Sequence, residues 1–330
     1  MTNLKLGIIG TNFVVDWLCD AVDATDGIVN HAVYSRTSER GNEFAAKHNI
    51  PHVYTDMEAF LSSDIDAVYI ASPNFCHFGQ AMDAMNHGKH VLVEKPGALN
   101  EAQWTEMCKC AEKNGVILME AMRPVHDPAV IGAKTQLDEI APIRRSVFEF
   151  CQYSSRYDKF KAGEILNAFN PSYGNAALMD IGVYALECCV LFFGEPLSVY
   201  AKSVMLHNGM EGMGSVFLDY GEHQAEVVYS KITQSCTPTV ITGEGGSITI
   251  GKLSTGEDVK LRSRSGDAKD LTPEKPEINM VYEIADFVDC IGGRADPKSW
   301  QELTRITIRV MDEVRRQNGI TFPGVELIGE

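Results

Sequence analysis

Residues 4–9 form a short apolar run that ends at Gly10, and beyond it Val14, Val15, Leu18, Ala21 and Val22 fall at helical spacing. The pattern predicts a strand, a tight turn and a helix. The alternation recurs, with strands over Val29–Tyr34, Ala67–Ala71, Val91–Glu94 and Val116–Glu120. Helices are predicted over Ser38–His48, His77–Asn86 and Glu101–Asn114, the last stopped by Gly115. Strands alternating with helices predict a doubly wound parallel sheet with right-handed crossovers, an α/β Rossmann domain over residues 1–123.

After Arg123 the rhythm changes. Seven strand-like runs, at 145–153, 198–206, 215–220, 225–231, 239–241, 247–250 and 259–262, follow one another with turn residues between them. One long apolar helix, Ala176–Phe193, interrupts them, and helices over Ile278–Ile291 and Trp300–Asn318 close the chain. The expectation for residues 124–330 is an α+β domain built on a large, mostly antiparallel open sheet. So many strands outnumber what three helices cover on both faces, which predicts a homo-oligomer, dimer or tetramer, through that sheet.

Length agrees with two domains, since 330 residues exceed what a single core usually serves. A formal charge of −16 repels a phosphate backbone or an anionic membrane surface, so neither nucleic acid nor membrane is expected as a partner. Asp180 and Glu187 lie within the greasiest stretch and argue for a buried helix against a membrane span. Nine cysteines include Cys19, Cys108, Cys188, Cys189 and Cys290 at helix-interior positions, and no pair has the two-residue gap of a redox or zinc motif. Buried thiols, no metal and a reducing compartment are expected. The chain runs from Met1 straight into its first strand without the apolar stretch of a secretory signal, which points to the cytoplasm.

In an open parallel sheet the first strand–helix turn presents backbone N–H groups to a pyrophosphate. Here that turn reads Gly10-Thr11-Asn12-Phe13-Val14-Val15, and only the first glycine of the Gly-x-Gly-x-x-Gly fingerprint is kept. On this turn alone, a strand–helix connection without ligand reads as well as a dinucleotide site. The second strand ends in Tyr34-Ser35-Arg36-Thr37-Ser38, with Arg40 beyond and no carboxylate to hold ribose hydroxyls. Hydroxyls and a guanidinium suit a 2′-phosphate, which favours NADP over NAD; the alternative is that Arg36 is a solvated helix-start residue.

Three further stretches stand in order along the chain: Ser72-Pro73-Asn74-Phe75-Cys76-His77, Glu94-Lys95-Pro96, and a helix carrying Asp180 and, four residues on, Tyr184. Together they resemble the Gfo/Idh/MocA family of NAD(P)-dependent oxidoreductases. The resemblance implies Lys95 beside the nicotinamide and the reacting oxygen, with Ser72, Pro73, Asn74, His77 and Glu94 lining the nicotinamide ribose pocket. It implies Tyr184 as proton donor or acceptor and Asp180 as the group orienting substrate or Lys95. Tyrosine at 184, where inositol-dehydrogenase-like members carry histidine, resembles the branch of dihydrodiol dehydrogenases, NADP-linked xylose dehydrogenases and glucose-fructose oxidoreductase. That implies a dehydrogenase or reductase acting on CH–OH groups of a sugar, polyol or cyclic diol. The alternative is a dinucleotide-binding sensor or transcriptional regulator of the same fold. His126 stands as either a substrate contact or a turn cap.

Overall fold

The structure is a computed structural model and describes residues 3–327. Its elements run β1 (Leu4–Ile9), α1 (Phe13–Asp23), β2 (Ile28–Tyr34), α2 (Ser38–His48), β3 (His52–Tyr54), α3 (Met57–Leu61), β4 (Ala67–Ile70), α4 (Asn74–Asn86), β5 (His90–Glu94), α5 (Glu101–Asn114) and β6 (Leu118–Ala121). Then come α6 (Arg123–His126), α7 (Pro128–Thr135), β7 (Ile143–Cys151), α8 (Tyr157–Lys161), α9 (Val183–Phe193), β8 (Ser198–Met205), β9 (Glu211–Asp219), β10 (Gln224–Ser230), β11 (Thr239–Gly243), β12 (Gly246–Lys252), β13 (Glu257–Ser263), β14 (Ala268–Asp270), α10 (Met280–Ile291) and α11 (Lys298–Asn318). They divide into two compact units: Met1–Ala121 with Pro276–Glu302, and Met122–Lys275 with Leu303–Glu330.

The first unit is built on a six-stranded sheet in the order β3-β2-β1-β4-β5-β6, parallel throughout, the doubly wound Rossmann order. Its strands β4 and β6, and β1 from Leu6 onward, are buried on both faces, as in a covered parallel sheet. Beside the expected division into 1–123 and 124–330, residues 276–302 pack with this unit. The cause lies in α10, whose Met280, Ile284, Phe287 and Val288 form one apolar stripe and join the core made by Val15, Leu18 and Val22 of α1 and the strands beneath.

The second unit carries an eight-stranded sheet in the order β14-β13-β12-β11-β7-β10-β9-β8, antiparallel except for the β7–β10 pair. On one face Phe148, Val216, Leu218, Val227, Tyr229 and Ile241 are buried. The opposite face leaves Tyr200, Val204 and Phe217 exposed, with Tyr200 and Phe217 paired across β8 and β9. The outer edge of β8 is closed by α11: the Ala201 and Ser203 amides donate to the side-chain oxygens of Gln317 and Asn318. The predicted helix 176–193 begins as a π-turn over Leu178–Gly182 before α9. Of the five cysteines placed in buried positions, Cys19, Cys188, Cys189 and Cys290 are buried and Cys108 only partly so. Among the described residues no helix is long and apolar enough to cross a membrane.

Candidate active site

At the end of β1 the chain turns at Gly10 with φ +119°, where a Cβ would stand 2.7 Å from the Ala71 carbonyl oxygen. Neither the backbone angle nor the space admits a side chain. Asn12 does not use the left-handed region its side chain tolerates. With φ −88° it caps α1, its Oδ1 accepting from the Val14 amide at 3.0 Å while its Nδ2 donates to the Ala71 carbonyl at 3.0 Å. The residue in place of the second glycine thus ties the turn to the end of β4, and Val15, in place of the third, is core. A bare glycine at the mouth of an 11-residue helix fits a pyrophosphate.

Arg40 lies on this turn, Nη2 donating to the Thr11 carbonyl at 2.9 Å and Nε to its hydroxyl at 3.1 Å. Phe13 is 56 % exposed and meets Trp17 edge-on. Arg36 is exposed at the end of β2 and acts electrostatically on Cys76 in the first turn of α4. Ser35, expected beside it at a phosphate, lies largely buried next to Gly41 of α2, its amide donating to the Tyr54 carbonyl.

The turns after β4 and β5 are held from below. His77 is fully buried; Nδ1 lies 2.9 Å from the Pro96 carbonyl and Nε2 2.9 Å from that of Ser72. A neutral imidazole has one N–H for these two acceptors, whereas the imidazolium serves both. Burial pushes the pKa of His77 down, the two carbonyls push it up, and the Lys95 charge adds to the lowering. The residue, expected in the ribose pocket lining, is buried and braces the Ser72 and Lys95 turns. Ser72 donates its hydroxyl to Gln80 at 2.6 Å, while Pro73 is exposed and Asn74 half-buried. Glu94 accepts from the Tyr69 hydroxyl. Half-buried Lys95 follows, joined to Pro96 by a cis peptide, and the next amide, Gly97, donates to the buried carboxylate of Glu120 at 2.5 Å.

In the second unit the π-turn carries Asp180 and the first turn of α9 carries Tyr184. A π-turn admits one more residue than an α-turn, so the pair stands on a widened segment and not on the plain i, i+4 face that their spacing predicts. The Asp180 side chain is 34 % exposed and pairs with the Lys231 ammonium at 2.8 Å. Tyr184 is nearly buried and packs edge-on against Phe150. The start of the π-turn is fixed by Glu211, whose Oε1 accepts from the Leu178 amide at 2.7 Å; Gly182 lies so close to the Tyr229 ring that a Cβ would approach it to 2.8 Å. His126 is buried within α6.

Glu120, Glu211 and Lys231 are the residues that sequence reasoning missed. Asp180 on an apolar helix demanded a partner. The signal named the need, while the cation that meets it lies 51 residues further on, just past β10.

The sequence pattern of an oxidoreductase family with an NAD-binding Rossmann fold, Gfo/Idh/MocA, matches residues 4–122. The chain is 42 % identical over 323 residues to scyllo-inositol 2-dehydrogenase (NADP(+)) IolU of Bacillus subtilis, covering 97 % of this chain and 98 % of the relative. It is 29 % identical to trans-1,2-dihydrobenzene-1,2-diol dehydrogenase of Xenopus tropicalis over 96 % of this chain and 97 % of that one. A 3-ketoreductase from Actinomadura kijaniata, solved with NADP and TDP-benzene, shares the fold with a TM-score of 0.85 at 22 % identity, over 96 % and 98 % of the two chains. The chain therefore belongs to the Gfo/Idh/MocA family of oxidoreductases. It is an NAD(P)-dependent dehydrogenase or reductase acting on CH–OH groups.

Proposed function

We propose that this enzyme moves hydride between a nicotinamide dinucleotide, NADP in preference to NAD, and a secondary alcohol or carbonyl of a cyclic polyol, sugar or diol. The names of the two relatives support the substrate class, and one of them supports NADP. Gly10, Thr11, Asn12 and Phe13 hold the pyrophosphate at the mouth of α1. Arg36, with Arg40 beyond it, faces the 2′-phosphate. Ser72, Pro73, Asn74 and Glu94 line the ribose. The bound nicotinamide supplies or accepts the hydride. Lys95 stabilises negative charge on the substrate oxygen, Tyr184 gives or takes the proton at its hydroxyl, and Asp180 orients the substrate. Two copies associate through the exposed apolar face of the large sheet.

The observation that carries this reading is the bracing of the Lys95 turn, with His77 fixing the Pro96 carbonyl and Glu120 the Gly97 amide. Such bracing is what preorganised catalysis by a flexible lysine requires. The test is Lys95→Ala, assayed by NADPH absorbance against a panel of inositols, sugars and diols that first identifies a substrate. Turnover falls by roughly 10²- to 10⁴-fold while dinucleotide affinity stays within about threefold. Undiminished turnover in the variant refutes the assignment.

A further inference from the structure

Lys231 follows β10, and its ammonium is almost completely buried. Its three protons are matched by three partners. The Asp180 carboxylate lies at 2.8 Å, the Ala168 carbonyl at 2.6 Å, and the Phe169 ring centroid at 4.9 Å. A buried ammonium is costly unless it is paired and hydrogen-bonded, and this one is both. The pair is lopsided, because the lysine side chain is 3 % exposed and the aspartate side chain 34 %. What it presents outward is therefore a carboxylate of fixed direction. The same ammonium joins the π-turn to the segment before it: Phe169 stacks on Phe160 and Tyr157, and its carbonyl accepts from Asn208 at 2.7 Å.

We propose that Lys231 is the positioning residue of Asp180, holding the carboxylate charged and aimed so that it accepts a hydrogen bond from a substrate hydroxyl. The proposal rests on the reading of Asp180 as the substrate-orienting group. Because that hydrogen bond exists before and during reaction, its loss raises KM and leaves kcat nearly unchanged, whereas loss of Lys95 lowers kcat.

The experiment is a cycle of Lys231→Met, Asp180→Asn and the double variant, with Lys231→Arg beside them. Steady-state kinetics use the best substrate of the panel, and dinucleotide affinity is measured by titration. Lys231→Met lowers kcat/KM roughly 10- to 100-fold, the range for a hydrogen bond to a charged group, mainly through KM. The double variant is no worse than Asp180→Asn, and Lys231→Arg recovers part of the loss. Where Lys231→Met alone fails to fold, the double variant, which buries no unpaired charge, and the arginine variant still decide. Losses that multiply in the double variant, or no recovery with arginine, overturn the proposal, as does a Lys231→Met enzyme with wild-type KM. Wild-type kinetics in Asp180→Asn defeat the underlying reading of the site instead, so the two failures are distinct.

Discussion

Glu211 opens β9 fully buried, with Oε1 on the Leu178 amide and Oε2 without a hydrogen-bond partner among the described residues. Burial pushes its carboxyl from 4.5 up to about 7, against the opposing pull of two backbone amides and of the Lys231 and Arg315 charges. The folded protein thus holds this proton more tightly than the unfolded chain does. Stability is unpenalised below the unfolded value, falls as pH rises from about 4.5 to 7, and stays lowered above that. At ~1.4 kcal/mol per pH unit the span is worth about 3 kcal/mol. Glu211→Gln keeps an acceptor for Leu178 and cannot ionise, so it imitates the protonated form. We expect the variant and the parent to be matched near pH 4.5 and the variant to be more stable at pH 8 by about 3 kcal/mol. In thermal melts across that range this is a gap of ~6–12 °C opening with pH. Melting curves that stay parallel across the range show that the carboxyl titrates normally and refute the reasoning.

Two further outcomes follow from the cofactor turn and the open sheet. NADPH binds more tightly than NADH, and Arg36→Ala removes roughly 10- to 100-fold of that preference in a fluorescence titration; equal affinities in the parent defeat the 2′-phosphate assignment. The parent self-associates at micromolar concentration and Phe217→Glu, placing a charge on the exposed strand face, shifts it towards monomer in light scattering; a parent that scatters only as monomer ends that reading.

The Rossmann half was legible because its strands are short, apolar and separated by amphipathic helices, so the alternation pointed to a doubly wound parallel sheet. The small β3 and α3 escaped, since three- and five-residue elements carry no period to read. Two things were illegible for physical reasons. The stripe on α10 predicts a buried face and not which core receives it, so the return of residues 276–302 to the first unit could not be read. Likewise Ala176–Phe193 is apolar on every side, and a pattern without a polar face cannot register the extra residue of a π-turn. At the site, Asp180 stood out because a carboxylate within an apolar helix is costly without a partner, whereas Gly10 stood out by the glycine fingerprint and Lys95 by the family resemblance of its Glu-Lys-Pro turn. No local pattern signals the burial of Ser35 beside α2 or the two carbonyls that His77 spans, because those contacts join segments apart in the chain.

The residues that sequence reasoning missed share a logic with those it found. Lys95 and Asp180 sit on turns, and a turn left to itself samples many conformations at a cost of roughly 1–2 kcal/mol per ordered residue. In each unit a buried ionisable group takes up that task from beneath. His77 and Glu120 bond the backbone around Lys95, and Glu211 and Lys231 bond the backbone and side chain of the Asp180 turn. An apolar residue at any of these four positions fills the space and leaves a carbonyl, an amide or a carboxylate without its partner. Because each brace touches the turn and not the solvent, its removal loosens a neighbouring side chain more than it empties a core. The expected signature is therefore kinetic damage out of proportion to lost stability, the reverse of what an ordinary cavity-forming substitution produces.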